Sequence, residues 1–212
     1  MEVYLESNKE EGLDNQEILQ ALKQSLEGKQ YRKVLIIPPD FTRFYSNAGY
    51  ITNQYYHLLT ENGCQVDILP ALGTHDPMTE EQFRTMYGDI PFEKVIPHHW
   101  RTDVETLGEV PSSYLKEITE GLWEDPIKVE VNRKVLDPSY DLILSIGQVV
   151  PHEVIGMSNH AKNIFVGVGG SEMINRTHMV GAVYGMERMM GKDHTPVRKV
   201  FDYALEHFLP DQ

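Results

Sequence analysis

Apolar and polar positions follow two different periods along this chain, and the switches between them mark its elements. From Asn15 to Glu27 the apolar residues Ile18, Leu19, Leu22 and Leu26 fall on one helical stripe, which Gly28 closes. Val34 to Ile37 is a continuous apolar run that ends in Pro38-Pro39-Asp40, the pattern of a buried parallel strand feeding a loop. A second helix is predicted over Ile51 to Asn62, ahead of Gly63. Val66 to Leu72 is the next strand, and it too ends in a polar turn, Gly73-Thr74-His75-Asp76-Pro77. Thr79, with Gln82 three residues on, has the spacing of a capping box and opens a third helix.

The middle of the chain is less regular. Lys94-Val95-Ile96 and Ile127 to Val131 read as strands, the second alternating as if one face were wet. Asp141 to Gly147 is a strong buried strand, and Gln148 to His152 leaves it. Ile164 to Gly170 is another apolar, glycine-terminated run. His178 falls on a helix entered after Ser171-Glu172, and the tail from Pro196 to Phe208 is a helix with proline at its first position, stopped by Pro210. No repeat, low-complexity stretch or linker interrupts this alternation of strand, loop and helix. The fold expected is α/β: a Rossmann-like, doubly wound, mostly parallel sheet with helices on both faces, with residues 1–212 forming a single domain.

Composition narrows the function classes. Hydrophobic residues make up 41% and charged residues 24%, which places the chain among ordinary globular proteins. No apolar run approaches the roughly 20 residues that cross a bilayer, and the first residues lack the basic and apolar regions of a secretory signal. Cys64 is the single cysteine, so a disulfide framework is excluded and a reducing cytoplasm is the expected compartment. A net charge of −13 repels phosphate backbones and argues against nucleic acid as a partner. Neither a Walker A loop nor a Gly-x-Gly-x-x-Gly after the first strand is present, so ordinary nucleotide motifs are unsupported.

The candidate chemistry lies where strands end. Ligands of open parallel sheets bind at the carboxyl ends of the strands, and three polar signals occupy such ends: Asp40-Phe41-Thr42-Arg43, Gly73-Thr74-His75 and Val150-Pro151-His152. Singly, each has an ordinary explanation: Asp40 as a turn cap, Arg43 as a surface ion partner, His75 and His152 as loop residues. Their repetition at three strand ends points to a site. Ser158 to Asn163 is a small, polar loop suited to approaching an anion, and Lys162 precedes an apolar run at the edge of the core. A lysine partly withdrawn from water has a lowered pKa and can attack a carbonyl. The spacing of His160 and His178 matches no zinc motif, yet a lone histidine can ligate a metal whose other ligands come from a cofactor.

Together these segments resemble the nickel-pincer lactate racemase family, in its N-terminal, cofactor-binding domain. The resemblance is carried by Asp40-Phe41-Thr42-Arg43, by Ala71 to Glu80 with its Gly-Thr-His-x-Pro-Met-Thr block, by Val150-Pro151-His152, and by Ala161-Lys162-Asn163 with His178 downstream. It spans about Val34 to Arg198. It implies a nickel ion held in a pyridinium-3,5-bisthiocarboxylic acid mononucleotide, with Lys162 as covalent tether, His178 as protein ligand to nickel and Asp40 near the cofactor. It further implies that His75 and His152 act as bases on the two faces of a small 2-hydroxy acid, whose carboxylate Arg43 holds, and that hydride transfer inverts the substrate carbon. Cofactor-synthesis proteins are the implied partners. The chain departs from the family pattern at Phe44, where a proline is usual, and at Asn159-His160 in the loop before the lysine; a bulkier or differently charged 2-hydroxy acid is thereby brought into range. The family's C-terminal domain, which closes over the cleft, is expected to be missing from this chain. Two rival readings follow, a non-catalytic nickel-nucleotide carrier or fragment needing a partner chain, and a histidine-based metal hydrolase.

Overall fold

The structure is a computed structural model, and it describes residues 2–209. Asp14 opens α1 (Asn15–Leu26): its carboxylate accepts from the N–H groups of Gln16 and Glu17, while Glu17 reaches back to the N–H of Asp14. That capping box satisfies donors that a helix start leaves unpaired. Gly28, at φ +70°, supplies the left-handed residue just beyond the helix. The chain then enters β1 (Lys33–Ile37), fully buried from Val34 onward, and α2 (Ala48–Glu61) returns it to β2 (Gln65–Ile68). α3 (Glu80–Tyr87) follows, with Thr79 and Gln82 forming the capping box their spacing predicts.

β3 (Val104–Val110), α4 (Ser112–Ile118) and β4 (Ile127–Asn132) make an antiparallel strand pair joined through a helix. β5 (Leu142–Ser145) then pairs with the second edge of β1, so that the sheet runs β2–β1–β5 with every strand parallel. A short pair, β6 (Pro151–His152) and β7 (Gly156–Met157), leads to α5 (Ser171–Tyr184), α6 (Met186–Met189) and α7 (Pro196–Phe208). Thr195 caps α7 and Pro196 opens it; Pro210, read from sequence as its stop, lies outside the described residues.

The period of two in β1 sorts the core. Val34 and Ile36 pack with Val66, Ile68 and the buried faces of α1 to α3, among them Leu22, Tyr55, Leu59, Phe83 and Tyr87. Leu35 and Ile37 belong to the second core, with Val129 of β4, Met173 and Val180 of α5, and Val200 and Phe201 of α7. Helices therefore flank both faces of a parallel sheet, as the sequence predicts. No helix among the described residues is long and apolar enough to cross a membrane.

One predicted strand is corrected. Lys94-Val95-Ile96 forms no ladder: a 3-10 turn covers Phe92–Lys94, and Val95 makes a single parallel bridge to Ile68. Pro91 and Pro97 flank the segment and, lacking N–H donors, cut any ladder short. The apolar run from Ile164 folds as a π-helical turn, Asn163–Gly167, followed by one antiparallel bridge from Gly169 to Val131. An apolar run without a period does not distinguish a buried helical turn from a strand.

Candidate functional site

The three parallel strands end side by side, and the loops that leave them enclose a cleft of about 280 Å³. That is near the lower end of small-molecule pockets, roughly 300 to 1,000 Å³. Asp40, Arg43, His75, His152, Lys162 and His178 all line it, whereas Phe44 and His160 do not. A broader, open hollow lies at the opposite, amino ends of the strands, around Arg32, Lys33, Gln65 and Asp141, and its lining holds no histidine among the described residues.

The loop after β1 begins with Asp40, buried and in extended backbone, capping the 3-10 turn Phe41–Ser46. Its Oδ1 accepts from the Thr42 N–H at 3.2 Å and from the Thr42 hydroxyl at 2.5 Å. Its Oδ2 lies 2.6 Å from Nδ1 of His75, on the loop after β2. A carboxylate only accepts, so Nδ1 carries a proton, and in the neutral ring Nε2 is the nitrogen with the lone pair. Gly73, at φ +58°, turns this loop back so that its N–H meets the Gly167 carbonyl at 2.8 Å, tying it to the π-helical turn.

His152 is built the other way round. The backbone N–H of Val154 donates to its Nδ1 at 3.1 Å, so Nδ1 must present a lone pair and the neutral ring carries its proton on Nε2. Burial, foremost, and then the positive charge of Lys162 pull its pKa down to about 4. Glu153 beside it acts in the opposite sense but does not prevail, its Oε2 lying 3.8 Å from Nδ1. At neutral pH His152 is an uncharged imidazole.

Lys162 stands just before the π-helical turn. Burial first, and the Arg43 guanidinium second, lower its pKa from the ordinary 10.5 to about 8. About a tenth of its amine is therefore uncharged at pH 7, against far less for an ordinary lysine. His178 sits in the middle of α5, where its Nδ1 donates to the Ile174 carbonyl one turn back at 2.6 Å. That bond fixes the ring and leaves the lone pair on Nε2. A ligating imidazole is held this way in metal sites, its second nitrogen anchored to a carbonyl or carboxylate. Among the described residues no three His, Cys, Asp or Glu side chains converge to hold a metal on their own.

Sequence reasoning picked out the Ser158 to Asn163 loop but missed Glu153 and the contacts by which that loop braces the site. Glu153 lines the cleft next to His152. Asn163 donates to the Ile146 carbonyl at 3.1 Å and to Asn159 Oδ1 at 2.7 Å, and the Ser158 hydroxyl donates to the Gln148 carbonyl at 2.7 Å. The one sequence signal for this network is the run Ser158-Asn159-His160, polar residues where a strand exit meets a helical turn.

Known proteins share this fold. Among solved structures, a Thermotoga maritima protein solved as a structural-genomics target superposes with a TM-score of 0.84 and 28% identity, over 96% of this chain and 49% of that one. The lactate racemase apoprotein from Thermoanaerobacterium thermosaccharolyticum superposes with a TM-score of 0.65 and 22% identity, over 87% of this chain and 42% of that one, a likeness of fold. This chain thus spans about half the length of these solved relatives. No curated protein matches it. The family model for the lactate racemase N-terminal domain matches residues 4–191. The chain belongs to the lactate racemase N-terminal domain family.

Proposed function

We propose that this chain holds a nickel-pincer nucleotide and racemises or epimerises a small 2-hydroxy acid. The observation that carries this reading is the meeting of Lys162, His178, His75 and His152 in one cleft, with Nδ1 of His75 and of His178 each anchored by a hydrogen bond. The donor set fits the group: His178 offers an Nε2 lone pair from an anchored ring, and Lys162 offers an amine that loses its proton near pH 8. Bound there, the cofactor would supply a hydride acceptor for the substrate carbon.

This chain's own residues would do the rest. The Cα–H of a 2-hydroxy acid is a poor acid beside an ionised carboxylate, which favours a hydride route over direct deprotonation. His75, with Nδ1 anchored on Asp40, is the base for the hydroxyl proton, received at Nε2. Asp40 orients that ring and stabilises the imidazolium formed, as a carboxylate does behind a catalytic histidine. Arg43 offers the two-pronged fork that suits a carboxylate. His152 would be the base on the opposite face once Nδ1 gives up the Val154 N–H and a lone pair of the ring is free to take the hydroxyl proton. The chain works in the cytoplasm in this reading, and depends on cofactor-synthesis proteins for loading.

A second reading, a cofactor carrier or fragment that needs a partner chain, is favoured by one observation: this chain covers only about half of its solved relatives. The two separate in one experiment. Co-expression with the cofactor-synthesis machinery should give a mass adduct that Lys162→Ala abolishes and nickel that His178→Ala removes. Interconversion of enantiomers across a panel of 2-hydroxy acids then marks an enzyme, and a loaded but silent protein marks a carrier. Absence of both adduct and nickel overturns the nickel reading.

A further inference from the structure

The loop that delivers Lys162 is held by a residue beyond the stretch that the family model matches. Arg198, in the first turn of α7, is 7% exposed. Its Nη1 donates to the Asn159 carbonyl at 3.3 Å, and its Nη2 donates to the Met157 carbonyl. The Asn159 carbonyl also accepts the backbone N–H of Lys162 at 3.3 Å, so guanidinium and lysine backbone meet on one oxygen. On its other side the same loop is tied to the exit of β5, where Asn159 Nδ2 donates to the Gly147 carbonyl at 3.0 Å.

This double anchoring has a conformational reason. Asn159 and His160 are consecutive left-handed residues, at φ 65° and 56°, and neither is glycine. Side chains with a Cβ occupy that region only where the surroundings over-determine it. The corner they make reverses the chain into the helical turn that carries Lys162. A planar fork that spans two carbonyls does this, whereas an ammonium is a point donor.

We propose that Arg198 is a positioning residue for Lys162, its fork fixing the left-handed Asn159–His160 corner from which the amine enters the cleft. The charge of Arg198 acts in the same sense as its hydrogen bonds. A buried cation near Lys162 disfavours a second one, and it adds to the effects of burial and Arg43 on the lysine. The proposal deepens the tether role of Lys162, yet it is tested on the apoprotein. A missing cofactor adduct would overturn the tether, while the outcome below decides the clamp independently.

The test measures the pH dependence of Lys162 acetylation by an acetic anhydride pulse, quantified by peptide mass mapping, with hydrogen exchange followed across 157–163. The wild-type midpoint is expected near pH 8. Arg198→Met should raise it, leaving a smaller fraction of free amine at pH 8, and speed exchange in 157–163 but not in β1. Arg198→Lys keeps the charge and loses the fork, so exchange should quicken while the midpoint rises less. A folded Arg198→Met protein with an unmoved midpoint overturns the proposal. If that variant does not fold, unchanged exchange and midpoint in Arg198→Lys overturn it equally. If neither folds, Arg198 is a pillar of the whole fold and the local role falls.

Discussion

Of three histidines in one cleft, two donate through Nδ1 and the third accepts there, and that inequality is the sharpest residue-scale result. His75 and His178 donate through Nδ1, to a carboxylate and a helix carbonyl, whereas His152 accepts at Nδ1 from a backbone N–H. Ring nitrogen chemical shifts of the apoprotein at pH 7 should therefore report Nδ1–H tautomers for His75 and His178 and the Nε2–H tautomer for His152. The same tautomer on all three rings would contradict the assignment. Asp40→Asn should loosen the preference of His75 alone. Lys162 carries a second prediction. Its folded pKa, about 8, lies below its ordinary 10.5, so the unfolded chain binds more protons between those values. The penalty of burying the ammonium is full below pH 8 and disappears as pH rises through 10.5. Lys162→Met should accordingly be more stable than wild type at pH 7, by on the order of 3 kcal/mol, and the gap should close towards pH 10.5. Urea denaturation of both proteins at pH 7 and pH 10 checks the sign. The convergence of Asp40, Arg43, His75 and His152 was legible because loops after buried strands announce themselves, whereas Lys162 and His178, on helical segments, were pointed out by the family resemblance. The inequality of the histidines was not, since a tautomer is set by neighbours such as Asp40 and Val154 in space.

Elements were legible where local chemistry and packing agree. The capping pairs Asp14–Glu17 and Thr79–Gln82 and the proline at the start of α7 fix helix starts by chemistry confined to one turn. The stretch around Val95 misled because its composition suits a strand while its flanking prolines deny it a ladder. Arg198 was invisible for a related reason: an arginine at a helix start reads as surface, and only the Met157 and Asn159 carbonyls above it explain its burial. The contact between α2 and α3 gives a further test. A Cβ on Gly49 would sit 2.1 Å from the Met86 carbonyl oxygen, a backbone atom that cannot turn aside. Alanine for glycine inside a helix gains about 1 kcal/mol in propensity, but overpacking of this kind costs about 1 to 3 kcal/mol. Since the obstacle is backbone, Gly49→Ala should be destabilising on balance, read as a lower urea midpoint with an unchanged slope. A midpoint at or above that of wild type would show that the helices part easily.

For the whole molecule, the arrangement that matters is the middle place of β1. Its partner on one side is its near neighbour in sequence, Lys33 standing opposite Gln65. Its partner on the other is remote: Lys33 and Asp141, which join their ends, are 108 residues apart. The cleft divides along the same line. Asp40, Arg43 and His75 come from the near pair, while His152, Lys162 and His178 arrive with or after β5. Closing a loop of that length costs entropy before any contact is returned, and such pairings slow folding. On the ribosome both residues of the Asp40–His75 pair are made long before the segment that bears Lys162. The lysine meets Arg43, and gains its reactive state, only when the last parallel ladder forms. Cofactor attachment at that amine would then select for finished protein, because an incomplete chain presents an ordinary, protonated lysine.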